Sequence, residues 1–190
     1  MTQFQVFENG VQVNGVSVLV IVKGMEHFKK KALQILEENG IKNPKPVEWY
    51  LQQSLLNAFK AISEDIGPHA LYAIGTKVPE NAEFPPDINS LEKALESIDT
   101  AYHMNHRGGK IGNYNLHKSP DGAFQLTCNN PYPCEFDRGI IEGIARKFTP
   151  KWHYLIVKHD DSAPCRDKGD ESCTYLIEIK FNERDSRENV

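Results

Sequence analysis

The apolar residues of this chain change their spacing at Gly108-Gly109, and that change restricts the fold more than any other feature. From residue 25 up to it they recur every three to four positions. Met25, Phe28, Ala32, Ile35 and Leu36 form one set, Val47, Leu51, Leu55, Ala58, Phe59, Ile62 and Ile66 a second, and Leu91, Ala94, Leu95, Ile98, Ala101 and Tyr102 a third. Each set fills one side of a 3.6-residue period and predicts an amphipathic helix. The second helix is expected to start at Pro46, and a short one to follow at 69–74. After the glycines, short β-branched and aromatic runs take over at 110–117, 123–128, 152–158 and 173–181. One helical stretch interrupts them at 135–148, with Phe136, Ile140, Ile141, Ile144 and Phe148 inward. Pro120-Asp121-Gly122 is a turn between the first two runs. Helices followed by β-β-α-β-β describe an α+β fold, a helical N-terminal half packed on an antiparallel sheet.

The ends add two expectations. Residues 4–7, 11–13 and 16–22 are β-branched or aromatic, and Asn9-Gly10 and Asn14-Gly15 punctuate them as hairpin turns would. Residues 1–23 are therefore read as a β segment, 24–109 as the helical half and 110–182 as the sheet half of a single domain. The polar residues 183–190 are read as a disordered tail. Asp87 or Asn89 is suited to cap the third helix, and Arg107-Gly108-Gly109 to close it. Gly139 and Gly143, four apart on the last helix, call for a close approach of that helix to the sheet.

Composition excludes several classes of protein. With 22 basic against 26 acidic residues the net charge is −4, so a nucleic acid is not the expected partner. No apolar run approaches the length of a bilayer span, and the N-terminus has no basic region followed by an apolar one, so a cytoplasmic location without a membrane span is expected. In that compartment the four cysteines are thiols or metal ligands before they are disulfides.

The cysteines carry the most specific chemistry. Cys134 opens the last helix, where the helix dipole favours a thiolate. Cys165 and Cys173 stand eight apart across a long charged loop at 160–171. Zinc takes about four thiolate or imidazole donors in a tetrahedron. Cys134, Cys165 and Cys173 therefore form a candidate metal site, with His159 or Cys128 as the fourth ligand and Asp161 as a further donor nearby. A Cys165–Cys173 disulfide and four inert thiols are the alternatives.

Other groups give less. Asp99, His103 and His106 share a helical face, which suits a metal, a haem ligand or plain solvent exposure. Gly108-Gly109-Lys110-Ile111-Gly112 lacks the phosphate-loop spacing and follows a helix where a strand is required, so it reads as a turn. No nucleophile elbow is present, and Glu142, between Ile141 and Gly143 on the last helix, is a candidate buried acid.

The run Cys134-Glu135-Phe136-Asp137-Arg138-Gly139-Ile140-Ile141-Glu142-Gly143, followed by Cys165-x7-Cys173-Thr174-Tyr175, resembles the 4-vinyl reductase domain over residues 108–181. That family is related to the haem–nitric-oxide-binding domains and to TRAPP-type tethering subunits. The resemblance implies a helical half on an antiparallel sheet with a buried pocket between them. It also implies that Cys134, Cys165 and Cys173 match three zinc thiolates, and that His106 and Tyr114 fall near the ligand pocket. The family's acidic fourth ligand corresponds to Ser162, which leaves His159 and Asp161 as the neighbouring donors. The haem branch is marked by Tyr-x-Ser-x-Arg, a motif this sequence does not contain.

The expected function is thus a sensory or carrier domain for a small hydrophobic or aromatic molecule, with a structural zinc site and more in keeping with binding than with catalysis. A signalling partner protein and a homodimer are its expected associations. The alternatives are a reductase-like enzyme of pigment-precursor metabolism using Glu142 or His106 as acid–base groups, a haem-based gas sensor, and a scaffold subunit.

Overall fold

A computed structural model describes residues 3–82, 84–86, 88–120 and 122–181. The expected tail at 183–190, the cap candidate Asp87 and the turn residue Asp121 lie outside them.

The N-terminal segment departs from its β expectation. A three-residue strand, β1 (Gln12–Asn14), runs straight into a helix, α1 (Gly15–Gly24). A short apolar run does not distinguish a buried strand from a buried helix. Here the end group decides: Asn14 has extended backbone and its side chain accepts the amide of Ser17 at 2.9 Å, which caps a helix instead of turning a hairpin. Gly15 admits no side chain, because a Cβ there would stand 1.8 Å from the Lys45 carbonyl oxygen. Val18, Val20 and Ile21 are fully buried, as a helix apolar on most sides must be.

The helical half continues with α2 (Lys29–Glu38), which buries Ala32, Ile35 and Leu36. The next helix starts six residues later than Pro46, because Trp49–Leu51 form a strand, β2, antiparallel to β1. Val47 is left 87% exposed as a result. Helix α3 (Gln52–Asp65) then buries Leu55, Leu56, Ala58, Phe59 and Ile62. Helix α4 (Pro68–Thr76) follows, with proline in its first turn, and then a single helical turn, α5 (Val78–Asn81). Helix α6 (Leu91–Met104) is capped by Ser90, whose hydroxyl accepts the Lys93 amide, and not by Asn89. It ends before Arg107, and His106–Arg107 form a strand, β3, on the other side of β1.

The sheet half has the expected order. Strands β4 (Asn113–Lys118), β5 (Phe124–Asn129), β6 (His153–His159) and β7 (Cys173–Phe181) make one antiparallel sheet in the order β4-β5-β7-β6. Helix α7 (Cys134–Ala145) crosses between β5 and β6. Leu126 pairs with Tyr175 and Cys128 with Cys173, and all four are buried.

The spaced glycines of α7 serve another helix and not the sheet. A Cβ on Gly139 would stand 2.3 Å from the Tyr72 carbonyl oxygen, and one on Gly75 would stand 2.2 Å from that of Phe136. Helices α4 and α7 thus meet backbone to backbone, which ties the helical half to the sheet half. Among the described residues no helix is long and apolar enough to cross a membrane.

Candidate functional site

The cysteine cluster is assembled by three elements. Cys134 opens α7 after Pro133, whose extended backbone sets the helix start. Cys173 opens β7. Cys165 stands in the intervening loop, which is folded by its own polar groups. Asp160 accepts the Ser162 amide at 3.0 Å, Asp170 accepts the Cys165 amide at 2.9 Å, and Gly169 turns back with φ +97°. The Sγ atoms of Cys134 and Cys173 lie 3.1 Å apart, and each lies 3.9 Å from Cys165 Sγ. His159, the last residue of β6, brings its ring to the same place, so four donor atoms lie within 4.8 Å of one another.

The two ring nitrogens of His159 differ in their surroundings. Its Nδ1 lies 3.2 Å from Asp161 Oδ1, and its Nε2 is buried without a hydrogen-bond partner. Its ring meets that of Tyr175 edge-on, with centroids 5.4 Å apart, and the Tyr175 hydroxyl donates to the Cys134 carbonyl at 2.6 Å. Of the three candidates for a fourth donor, His159 joins the cluster. Asp161 faces its ring from behind. Cys128 is buried in the sheet beside Asp137, where burial pushes its thiol up. The hydrogen bond from Cys134 draws the Cys173 thiol down to about 4, and the Arg166 guanidinium helps against burial. The same bond pushes the Cys134 thiol up.

Beneath the cluster lies a buried polar group that sequence reasoning missed. Arg166 is 1% exposed and Asp137 0%. Arg166 donates through Nη2 to Asp137 Oδ2 at 2.5 Å, through Nη1 to Asn130, and through Nε to Cys173 Sγ at 3.4 Å. Burial pushes the Asp137 carboxyl up, and Arg166, Tyr114 and Asn130 oppose that shift. No sequence signal marked these residues, since Arg166 sits in a charged loop and Asp137 in the first turn of a helix, where acids are ordinary.

A second site lies between the helical half and the sheet. A cavity of about 50 Å³ is lined by apolar side chains from α3, α6 and α7 and by Tyr102, Tyr114, Tyr132 and His106. The expected pocket residues His106 and Tyr114 both face it. His106 Nδ1 lies 2.7 Å from the Tyr102 carbonyl, so it must donate, and Nε2 then accepts from the Tyr132 hydroxyl at 2.7 Å. Burial holds this imidazole down at about 4, so it is neutral at pH 7. The Tyr114 hydroxyl donates to Asp137 at 2.6 Å, and that of Tyr102 to the Ile111 carbonyl at 2.6 Å. His103, by contrast, is exposed at the end of α6 with its Nδ1 near the Asp99 carbonyl, so Asp99, His103 and His106 do not converge. Glu142 is paired with Arg146 on the surface of α7.

No family model and no curated protein matches the chain. Solved structures do. An H-NOX protein from S. oneidensis in the Fe(II)NO ligation state is 15% identical with a TM-score of 0.65, covering 88% of this chain and 99% of that one. A single-residue mutant of T. tengcongensis H-NOX is also 15% identical, with a TM-score of 0.60 over 88% and 97%. An oxygen-binding H-NOX domain related to soluble guanylate cyclases gives 15% and 0.57 over 88% and 92%. The fold is therefore the mixed helical and antiparallel-sheet fold of the H-NOX domains.

Proposed function

We propose that the chain is a non-catalytic binding domain for a small uncharged molecule, built on the H-NOX fold and stapled by a zinc ion at Cys134, His159, Cys165 and Cys173. The observation that carries the metal is the buried, unpartnered Nε2 of His159 among three sulfurs. A carboxylate behind a ligating imidazole is the usual second partner of such a histidine, and Asp161 supplies it. Zn–S bonds of about 2.3 Å place tetrahedral sulfurs about 3.8 Å apart, and two of the three sulfur separations here are 3.9 Å. When bound, zinc would supply a covalent tie between the loop, α7 and β7. The resemblance of Cys134 and Cys165-x7-Cys173 to the zinc thiolates of the 4-vinyl reductase domain supports the same reading.

The gas-sensing alternative draws support from the fold, because the neighbours include Fe(II) proteins and a study of haem distortion. The residues of this chain do not fit haem. An axial imidazole needs a free nitrogen, and His106 uses both of its own. The cavity of about 50 Å³ is walled by the Tyr132 and Phe136 rings, against which Phe59 packs, and among the described residues no arginine or lysine lines it to meet propionates. We therefore derive no role through haem. A neutral histidine and neutral tyrosines on apolar walls suit a neutral ligand with one hydrogen-bonding group.

Elemental analysis and thermal melting test both halves. One zinc per chain is expected in protein purified without an immobilised-metal step. Benzyl alcohol is expected to raise the melting temperature, and benzoate and benzylamine to leave it unchanged. Preference for either charged analogue would refute the neutral-ligand reading, and metal-free protein with four titratable thiols would refute the zinc site.

A further inference from the structure

The two sites are joined by a continuous chain of buried hydrogen bonds. From Cys173 Sγ it passes to Arg166, then to Asp137, and there it divides. One branch reaches the cavity wall through the Tyr114 hydroxyl, 2.6 Å from Asp137 Oδ1. The other passes through Asn130, whose Oδ1 accepts the Tyr132 amide at 2.8 Å, to the Tyr132 hydroxyl and His106 Nε2. Every link is buried.

We propose that Arg166 is a positioning residue that couples the cysteine–histidine cluster to the cavity, so that metal binding and the arrangement of Tyr114 and Tyr132 change together. The proposal rests on the metal reading above. Its movable element is the loop at 160–172. Cys165 and Arg166 are adjacent in that loop, so whatever holds the one sulfur against Cys134 and Cys173 also holds the guanidinium against Asp137. If the loop lifts, Asp137 stays in α7 as a buried acid without its cation, a state that is strongly disfavoured. Asp137 must then draw on partners that remain, among them Tyr114, which lines the cavity, and Asn130, which holds the amide of the cavity residue Tyr132. A fully buried ion pair adds little stability over apolar residues of the same size, so fold stability alone gives no reason for one here. Coupling of two sites through one loop does give a reason.

Reciprocity supplies the test, since a change on the cavity side must then alter metal affinity. Tyr114→Phe removes only the hydroxyl that meets Asp137. Ile98→Val alters the same cavity wall without touching the chain of bonds and serves as a control of comparable cost in stability. Zinc affinity of the full chain is measured by competition with a chromophoric chelator. Tyr114→Phe is expected to bind zinc about five-fold or more weakly, the low end of ordinary couplings, with Ile98→Val near wild type. Equal affinity of Tyr114→Phe and wild type overturns the coupling while leaving the metal site standing, and a wild type that takes up no zinc overturns both. A second readout needs no variant. In wild-type protein labelled with 3-fluorotyrosine, the Tyr114 and Tyr132 fluorine resonances are expected to move when zinc is added, and resonances that stay in place overturn the proposal.

Discussion

His106 shows most directly how a single residue's surroundings become a measurable property. Burial lowers it from 6.5 to about 4, so the unfolded chain binds a proton in that interval that the folded chain does not. The contribution of the neutral ring is complete above pH 6.5 and is lost as the pH falls towards 4, about 3 kcal/mol over the interval. His106→Gln is expected to flatten this part of the urea-denaturation stability profile relative to wild type. Equal slopes for the two proteins would sink the argument. Asn14 makes a second case. It caps α1 through Ser17 and donates to Asn105 Oδ1 at 2.7 Å while 6% exposed. Asn14→Ala should cost about 2 kcal/mol in denaturant melts, the upper range for a cap. At this scale the sequence was partly legible. Cys134, Cys165 and Cys173 stood out by chemistry, whereas Arg166 and Asp137 did not, because a charged residue carries no mark of being buried.

At the scale of elements, the contact of α4 with α7 fixes how the two halves meet. Alanine at Gly139 would drive a methyl into the Tyr72 carbonyl at 2.3 Å, and at Gly143 into that of Thr76 at 2.8 Å. Both helices must separate to admit it, so Gly139→Ala should cost at least about 3 kcal/mol and Gly143→Ala less. Calorimetric melting of the two variants checks the order, and a milder effect at Gly139 would contradict the contact. The glycine pair was visible in the sequence as a packing signal, but its partner was not, since spacing says that something approaches closely and not what. The apolar stripes placed α2, α3 and α6 well. They misplaced the start of α3, because Tyr50 and Leu51 suit a helical stripe and a strand equally and only the pairing with β1 chooses between them. Residues 16–22 failed for the related reason that valine-rich runs favour strands until an end group and burial on several sides impose a helix.

For the whole molecule the proposed zinc staple makes the sharpest prediction. Cys165→Ser with Cys173→Ser should abolish zinc uptake and lower the melting temperature by several degrees while leaving the far-ultraviolet helical signal in place, because the buried stripes of α1, α3 and α4 contain none of the cluster residues. Unchanged melting in the double variant would argue against a structural metal.

The sequence by itself determined the helical half, the β-β-α-β-β order of the sheet half and the residue types of the thiol cluster. All three follow from period, turn chemistry and the rarity of cysteine, which are properties of neighbours along the chain. Only the tertiary structure decided that His159 and not Cys128 or Asp161 completes the cluster, that His106 spends both nitrogens inside the cavity, and that a buried arginine joins the two sites. Those outcomes depend on which groups lose water together, and the contacting residues concerned lie as much as 39 positions apart, a separation over which local patterns carry no information.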